Sequence, residues 1–325
     1  MHVAILGATG AVGRTMLEVL AERGLPVERL TLLASERSAG LSVSWGGRQW
    51  AVRVPEPGCF RGVDVALFSA GASRAREWAP RATDEGATVV DNSSAWRMDP
   101  EVPLVVPEVN AAAALLHPRG IIANPNCSTI QTVVALGAIG RAAGLRRVVA
   151  TTFQSASGAG EGGRAALRRE LRGEDGDPSP FPRRLAGNVV PWIGPADEQG
   201  WTEEERKMTH ETRKILGRPE LAVAATCVRV PVEVGHSVQL MIETERDLSP
   251  DDAREALRAS PGIRVAEAAE DFPTPHDAAG RDEVWVGRLR ADPHLPRTLH
   301  LWVVADNLRK GAATNAVQIV EALSA

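Results

Sequence analysis

A glycine-rich turn lies directly after the first apolar run of the chain. Residues 3–6 predict a buried strand, and the next seven residues carry glycines at positions 7, 10 and 13. Apolar residues then recur at helical spacing from residue 16 to residue 20. Strand, glycine turn and helix in this order place a helix N-terminus where it can face a pyrophosphate. The pattern predicts a dinucleotide-binding α/β unit, the alternative being a turn without ligand; the candidate contacts are Gly7, Thr9, Gly10, Ala11, Val12 and Gly13.

The end of the second predicted strand indicates which dinucleotide is preferred. Residues 30–34 are apolar and are followed by Ser35, Glu36, Arg37 and Ser38. An NAD enzyme commonly places an acidic residue here to hold the ribose hydroxyls, whereas a guanidinium suits a 2′-phosphate. We expect NADP, bound by Ser35, Arg37 and Ser38, with Glu36 pointing outward. The alternative for Arg37 is a solvated loop.

Strands and helices alternate through the rest of this half. Residues 63–68 and 88–91 predict strands, and residues 74–82 predict a helix between them. The alternation predicts a mostly parallel, doubly wound sheet. Small residues follow the carboxyl ends of both strands, where such sheets bind ligands. Ser69 and Gly71 are therefore candidate cofactor contacts, the alternative being ordinary turn chemistry.

A cysteine follows an Asn-Pro turn in the middle of the chain. Asn124-Pro125-Asn126-Cys127-Ser128-Thr129 precedes an apolar run over residues 130–139, which places Cys127 in the first turn of a buried helix. The N–H groups and the dipole of a helix N-terminus favour a thiolate over a thiol. The same N–H groups can hold an oxyanion. Position alone leaves two interpretations, a nucleophile or a buried structural cysteine.

Three further candidates lie near predicted strand ends. Gln154 follows a strand over residues 147–153 and can orient an acyl group through its amide. Arg229 lies in an apolar strand and needs an anionic partner, either a substrate carboxylate or a structural ion pair. His236 follows a glycine at a strand boundary and can serve as proton donor and acceptor, or as a packing histidine. Small residues at 155–160 let a planar ring approach the backbone closely, which makes Ser157 and Gly158 candidate cofactor contacts.

A charged helix is predicted over residues 201–216. It starts with a capping box from Thr202 to Glu205. Glu204 and Lys207 are three residues apart, share a face and can meet an ammonium and a phosphate group. The alternative is a solvated face carrying weak ion pairs.

The composition excludes several classes of protein. The net charge of −4 argues against a nucleic-acid surface, and no apolar run approaches the roughly 20 residues of a membrane span. Three cysteines cannot all pair within one chain, and no C-x-x-C occurs, so we expect a reduced, cytoplasmic protein without a metal site. The absence of tyrosine excludes reductases that use a catalytic tyrosine.

These segments, taken in order, resemble those of the aspartate-semialdehyde dehydrogenase family nearly end to end. The separations agree as well, 27 residues from Cys127 to Gln154 and 7 from Arg229 to His236. The resemblance implies an α/β chain in two domains. Residues 1–125 plus 306–325 would form a Rossmann-type, doubly wound NADP-binding domain. Residues 126–305 would form an α+β catalytic and dimerisation domain resembling that of glyceraldehyde-3-phosphate dehydrogenase. The matching segments are 7–13, 34–40, 91–98, 105–110, 124–131, 229–237 and 306–315.

The resemblance also implies an activity and roles for matching residues. The family makes L-aspartate 4-semialdehyde from L-aspartyl 4-phosphate with NADPH, through a thioester. Cys127 would be the nucleophile, His236 the acid/base, and Gln154 the residue that orients the acyl group. It further implies a homodimer or homotetramer and a C-terminal helix over residues 313–323 that returns to the nucleotide domain. The remaining implied contacts are Arg229 for the substrate carboxylate, Glu204 for its amino group, Arg97, Lys207 and Asn126 for the phosphate, and Asn307 for the cofactor.

Two other functions are open at this point. One is an acyl-phosphate reductase acting on N-acetyl-gamma-glutamyl phosphate; Arg229, Glu204 and Lys207 argue instead for a free amino acid. The other is a catalytically silent paralogue acting in assembly, against which the presence of Cys127 and His236 argues. The chain departs from the family's sequence at Ser155 and at residues 161–163, and the segment 173–187 is acidic, proline-rich and irregular.

Overall fold

The computed structural model describes residues 1–174, 179–268 and 270–324. Its β-strands are β1 His2–Leu6, β2 Arg29–Leu33, β3 Ser42–Trp45, β4 Arg48–Arg53, β5 Val65–Phe68, β6 Thr88–Asp91, β7 Ile121–Ala123, β8 Arg147–Gln154, β9 Ala222–Arg229, β10 His236–Glu243, β11 Ile263–Val265, β12 Val284–Ala291 and β13 Thr298–Ala305. Its α-helices are α1 Ala11–Glu22, α2 Ala72–Asp84, α3 Pro107–Asn110, α4 Cys127–Ala143, α5 Gly160–Leu171, α6 Glu203–Leu216, α7 Pro250–Arg258, α8 Pro275–Ala278 and α9 Thr314–Ser324. Residues 175–178, within the segment singled out as irregular, lie outside the described residues.

The chain divides into two compact units. The first unit comprises residues 1–125 and 312–325, and the second unit comprises residues 126–311. The sequence placed residues 306–311 with the nucleotide domain, whereas the structure groups them with the second unit. The reason is local bonding, since Asp306 accepts a hydrogen bond from Gly280 N–H at 2.7 Å and Arg309 pairs with Asp282 at 2.8 Å.

A seven-stranded sheet forms the centre of the first unit. Its strand order is β3-β4-β2-β1-β5-β6-β7, and every neighbouring pair is parallel except the β3–β4 hairpin. The predicted mostly parallel, doubly wound sheet is therefore confirmed. Apolar side chains of β1, α1 and α9 share one core, which explains why the C-terminal helix belongs to this unit.

The β3–β4 hairpin was not predicted. Its two-residue loop is Gly46-Gly47, and both residues have positive φ, 58° and 73°. Such a loop matches the right-handed twist of the flanking strands, and glycine adopts it without a Cβ penalty. A Gly-Gly pair between two alternating segments is a usable hairpin signal in this sequence.

A six-stranded mixed sheet forms the second unit. Its order is β11-β12-β13-β10-β8-β9, with α4 packed against the central strands and α6 packed against α4 and β9. Strand β9 ends at Arg229, two residues before Pro231, which lacks the N–H that would continue the ladder. Gln154 and Arg229 are paired at the ends of parallel strands. His236 begins antiparallel β10 beside the end of β8. Three predicted site residues thus meet at one edge of this sheet.

No helix among the described residues is long and apolar enough to cross a membrane.

Candidate active site

Cys127 is the first residue of α4. The side chain of Asn126 caps this helix, since its Oδ1 accepts hydrogen bonds from Ser128 N–H at 2.9 Å and Thr129 N–H at 3.3 Å. The predicted helix start is confirmed. These two N–H groups are occupied by the cap in this conformation, which leaves the prediction of an oxyanion site at this helix start to its other N–H groups.

Gly311 packs directly against Cys127. A Cβ added at Gly311 would lie 2.9 Å from the Cβ of Cys127, closer than side chains tolerate. The glycine lies in a π-helical turn, Arg309–Ala313, and such turns are frequent at functional sites. The cysteine is half-buried and, like Cys59 and Cys227, forms no disulfide. Only glycine at position 311 therefore allows this backbone to approach the cysteine.

The ends of β9 and β10 direct two side chains toward Gly158. A Cβ added at Gly158 would lie 2.6 Å from Arg229 Nη1 and 3.2 Å from His236 Nε2. Only glycine at position 158 therefore lets both side chains lie this close to the backbone. Gln131, one turn beyond Cys127 on α4, donates a hydrogen bond to His236 O at 3.2 Å. This bond ties the helix that carries the cysteine to the strand that carries the histidine.

Arg229 is buried and has no anionic partner among the residues that the structure describes. Its Nη1 donates to Ser155 O at 2.6 Å, and no carboxylate of residues 1–174, 179–268 or 270–324 forms an ion pair with it. The structural ion pair considered for this residue is therefore absent from the described part of the chain. Burial lowers the pKa of its guanidinium, an effect that the nearby charges of Glu204 and Cys127 oppose. A buried cation of this kind favours binding of an anion.

His236 is fully buried, with its two ring nitrogens in different surroundings. Its Nδ1 accepts a hydrogen bond from Ser155 N–H at 3.0 Å. Its Nε2 is buried and has no hydrogen-bond partner within the residues that the structure describes. Burial, together with the charge of Arg229, lowers the pKa of the ring to about 3. A packing histidine would have both nitrogens satisfied, so this environment is better suited to binding a ligand atom.

Glu204 links Gln154 and Asn126. Its Oε1 accepts from Asn126 Nδ2 at 2.9 Å and from Gln154 Nε2 at 3.2 Å, and its Oε2 lies 3.6 Å from Lys207 Nζ. Lys207 Nζ also pairs with Glu203 at 2.8 Å. The predicted capping box at the start of α6 is confirmed. Because Glu204 is only 8% exposed, the solvated-face interpretation is wrong for this residue.

Asn307 joins two loops of the second unit. Its Oδ1 accepts from Gly235 N–H at 3.0 Å and from the Ser157 hydroxyl at 2.9 Å. Asn307 and Ser157, both predicted cofactor contacts, are therefore within one hydrogen-bonded cluster. One member of that cluster, Gly235, directly precedes His236 in the chain.

The glycine turn of the first unit borders a cavity of about 530 Å³. A Cβ on Gly13 would lie 2.2 Å from Gly7 O, and one on Gly7 would lie 2.3 Å from Ser69 O, so only glycines permit this turn. Ala11 and Val12 begin α1, whose first turn lacks a side-chain cap, and Gly71 precedes α2. The turn thus fits a phosphate at the start of α1. The predicted contacts that line the cavity are Gly7, Thr9, Gly10, Ser35, Arg37 and Ser69.

The lining of the cavity differs from the prediction at two residues. Glu36, which is exposed, borders it beside Arg37. Ser38 is not part of the lining, and its Oγ instead accepts a hydrogen bond from Thr9 Oγ1 at 3.0 Å. Arg74 also lines the cavity and was not predicted, although its position one turn into the helix after Ser69 and Gly71 was a usable signal.

Arg97 is a buried residue of the first unit. Its Nε donates to Asn124 O at 3.0 Å and its Nη2 donates to Asn92 O at 3.0 Å. Two backbone carbonyls therefore fix the guanidinium plane.

Family models match both halves of the chain. Residues 2–117 match the semialdehyde dehydrogenase NAD binding domain, and residues 136–310 match the semialdehyde dehydrogenase dimerisation domain. The aspartate-semialdehyde dehydrogenase of Aquifex aeolicus is 51% identical over 331 residues, which cover 99% of this chain and 97% of that protein. This chain belongs to the aspartate-semialdehyde dehydrogenase family. The resemblance inferred from the sequence is confirmed, and membership makes the chain an oxidoreductase.

Solved structures of the family agree with the fold. Aspartate-semialdehyde dehydrogenase II of Vibrio cholerae, solved in complex with ASA, has a TM-score of 0.97 and 47% identity, covering 99% of this chain and 98% of that one. A more distant relative, from Candida albicans and solved with NADP, has a TM-score of 0.78 and 27% identity, covering 100% and 98%. The α/β fold of the two units is therefore that of the family.

Sequence reasoning missed two buried residues of the second unit. Glu211 accepts the backbone N–H of Asn126 at 2.7 Å and is 1% exposed. It lies seven residues after Glu204, hence on the same face of α6, and this spacing of two acids was an available signal. Ser155 contacts the ring of His236, and no motif in the chain indicated this. Both residues support candidate site residues through hydrogen bonds.

The neutral state of His236 predicts a loss of stability in acid. The unfolded ring binds a proton near pH 6.5, whereas the folded ring does so only near pH 3, so stability falls as the pH is lowered between these values. The free energy of unfolding should be about 2 kcal/mol lower at pH 5 than at pH 7 from this residue alone. Urea unfolding at both pH values measures it, and His236→Asn should reduce the difference by that amount. An unchanged difference in the variant would contradict the buried neutral ring.

Proposed function

We propose that the chain reduces L-aspartyl 4-phosphate to L-aspartate 4-semialdehyde and phosphate with NADPH, through a thioester on Cys127. The observation that carries the proposal is the capped helix start at Cys127, in the same unit as a buried arginine and a buried histidine that both lie against Gly158. A nucleophile, an anion-binding group and a polar ring are what acyl transfer from a small anionic substrate requires.

The chemistry divides into two substitutions at one carbon. The Cys127 thiolate attacks the acyl carbon, a carbon–sulfur bond forms, and the bond to the phosphate oxygen breaks as phosphate leaves. The amide of Gln154, which donates a hydrogen bond to Glu204, would orient the acyl group. After reduction of the thioester, the alkoxide of the hemithioacetal expels the thiolate and releases the aldehyde. Covalent catalysis thereby replaces one difficult step by two easier ones.

Charged groups of the chain suit the ends of this substrate. Arg229 would bind the α-carboxylate with two parallel N–H donors, the arrangement that a guanidinium provides. Glu204 would hold the ammonium group through Oε2, because its Oε1 already accepts two hydrogen bonds. The phosphate would be bound by Lys207 and Arg97, with Asn126 beside them. These contacts distinguish a free amino acid from an N-acetylated one, whose nitrogen carries no charge.

The cofactor proposed is NADP. The glycine turn and the cavity of the first unit fit a dinucleotide, and the family model for this region is named for NAD binding. When bound, the nicotinamide supplies the hydride that reduces the thioester. Arg37 and Ser35 would hold a 2′-phosphate, while the main-chain N–H groups at the start of α1 would face the pyrophosphate. Ser157, Gly158 and Asn307 would contact the nicotinamide end.

Substitutions at two adjacent cavity residues should separate NADPH from NADH. Arg37→Ala removes the charged donors for a 2′-phosphate and should raise the KM for NADPH about tenfold, with little effect on the KM for NADH. Glu36→Ala removes a negative charge from the same cavity and should not raise the KM for NADPH. Steady-state kinetics with both nucleotides measures the effect. Equal changes for NADPH and NADH in Arg37→Ala would contradict the assignment.

The proposed reaction also implies a metabolic role, a location and an assembly state for the protein. The product would supply lysine, threonine, methionine and diaminopimelate biosynthesis in the cytoplasm. A homodimer or homotetramer is proposed, supported by the family model of the second half, which is named for dimerisation.

Phosphate-dependent reduction of NADP⁺ by L-aspartate 4-semialdehyde tests the proposal directly. We expect activity with this aldehyde and none with N-acetyl-glutamate semialdehyde. Activity with N-acetyl-glutamate semialdehyde and none with L-aspartate 4-semialdehyde would indicate instead that the chain catalyses the N-acetyl-gamma-glutamyl phosphate reaction. A folded protein that binds NADP⁺ but oxidises neither aldehyde would support the silent paralogue.

A further inference from the structure

Two carboxylates of α6 hold Asn126, the residue before Cys127. Asn126 Nδ2 donates to Glu204 Oε1 at 2.9 Å, and the backbone N–H of Asn126 donates to Glu211 Oε2 at 2.7 Å. All three residues are buried, so bulk water competes little for either hydrogen bond. Glu211 belongs to none of the substrate or cofactor contacts proposed above. Binding of substrate or cofactor therefore does not explain its contact with Asn126.

One face of α6 makes these contacts. Glu204, Met208 and Glu211 are spaced four and three residues apart, which places them in one row along the helix. Met208 lies between the two acids, and its sulfur accepts a hydrogen bond from Thr129 Oγ1 at 3.5 Å. All three side chains of the row therefore contact residues 126–129, the start of α4. The packing of α6 thus fixes this helix start at three points.

The bond to Glu211 affects the cap of α4 and, through the cap, Cys127. Asn126 Oδ1 can accept the helix N–H groups only while the backbone of Asn126 keeps its extended conformation, with φ of −60° and ψ of 143°. Glu211 fixes the peptide plane that enters Asn126, and Glu204 fixes the amide at the far end of the same residue. Without the bond to Glu211 the turn is freer to rotate, and the orientation of Cys127 changes with it.

We propose that Glu211 is a positioning residue that anchors the turn at Asn126, so that Cys127 keeps the orientation from which its sulfur attacks. The inference deepens the proposed thioester reaction and rests on it. A hydrogen bond from a backbone N–H to a carboxylate is stronger than one to a neutral acceptor. That strength suits an anchor that has to hold while the sulfur first attacks and is later expelled. Glu204 shares the anchor but also has the proposed role of binding the substrate ammonium.

Alkylation of Cys127 by iodoacetamide at pH 7 tests the anchor in the full chain without substrate. Mass spectrometry follows the peptide that contains Cys127 and separates it from those of Cys59 and Cys227. Glu211→Gln keeps an acceptor oxygen without the charge, and Glu211→Ala removes both, so comparing them isolates the hydrogen bond. We expect Glu211→Ala to react about threefold more slowly than Glu211→Gln, because a loosened cap stabilises the thiolate less. An equal or faster reaction would overturn the proposal.

Turnover of the same two variants measures the effect on the nucleophile. We expect kcat for the phosphate-dependent oxidation of aspartate semialdehyde to be about fivefold lower in Glu211→Ala than in Glu211→Gln, as for loss of one buried hydrogen bond. KM for the aldehyde should agree within about twofold, because Glu211 is not a substrate contact. Equal kcat values would contradict the role of Glu211. A wild-type protein that does not turn over this aldehyde would contradict the proposed function instead, and the alkylation rates would still test Glu211.

Glu205 provides the matched control. It is also buried on α6, and it accepts the backbone N–H groups of Thr202 and Cys227 at 2.8 and 3.1 Å, neither of which belongs to α4. Glu205→Ala and Glu205→Gln should differ in thermal stability but react at Cys127 at the same rate. If Glu205→Ala slowed the reaction as much as Glu211→Ala does, any loosening of α6 would have this effect, and the specific role of Glu211 would be excluded. If Glu211→Ala does not fold, Glu211→Leu, which fills the site without an acceptor, is measured in its place.

Discussion

Replacing Cys127 by alanine is expected to lower kcat for the phosphate-dependent reaction at least about a thousandfold. Loss of a covalent nucleophile removes the intermediate through which both substitutions proceed, and single substitutions of nucleophiles cost this much or more. The fold should survive, because Asn126, and not the cysteine, caps α4. Initial rates with saturating NADP⁺, phosphate and aspartate semialdehyde measure the effect.

The control for this variant is Cys59→Ala. Cys59 is half-buried in the first unit, and burial raises the pKa of its thiol, which makes it a poor nucleophile. We expect its substitution to leave kcat unchanged. Turnover by Cys127→Ala at a rate near that of the wild type would rule out the thioester route.

The second large effect is expected for Arg229→Lys. Lysine keeps the charge but loses the planar pair of donors that matches a carboxylate. It also loses the bond from Nη1 to Ser155 O that holds the guanidinium in place. We expect KM for aspartate semialdehyde to rise roughly thirtyfold to a hundredfold, with a smaller fall in kcat. Steady-state kinetics over a range of the aldehyde measures both.

Arg206→Lys is the matched control for that experiment. Arg206 lies on the same unit, and its guanidinium pairs with Asp197 at the surface. An exposed pair of this kind contributes little, so its KM should equal that of the wild type. Unchanged substrate kinetics in Arg229→Lys would exclude Arg229 from the substrate site.

Local signals in the sequence predicted the framework of the site. The Asn-Pro turn and the apolar run after it located the start of α4, and Thr202 with Glu205 located the start of α6. Each depends on residues a few positions apart, whose bonding is decided within one turn of helix. The glycine turn could be predicted in the same way. A Cβ on Gly13 or on Gly7 would lie only 2.2 or 2.3 Å from a backbone oxygen, so the turn requires glycine at both positions.

The sequence could not predict contacts that depend on pairing between distant elements. The bond from Asn126 N–H to Glu211 joins residues 85 positions apart, and the contact of Ser155 with His236 spans 81. Their geometry is set by how α6 packs on α4 and by the register of β8 with β10. The occupied N–H groups of α4 illustrate the same limit. A helix start predicts donors, but only the side chain of Asn126 decides which of them are already used.

Mass spectrometry of the protein incubated with L-aspartyl 4-phosphate in the absence of NADPH tests the central claim most directly. We expect a mass increase of one aspartyl group on the peptide that contains Cys127, its loss on addition of NADPH, and no adduct in Cys127→Ala. The same adduct in Cys127→Ala, or none in a wild-type protein that turns over the substrate, would contradict the Cys127 thioester.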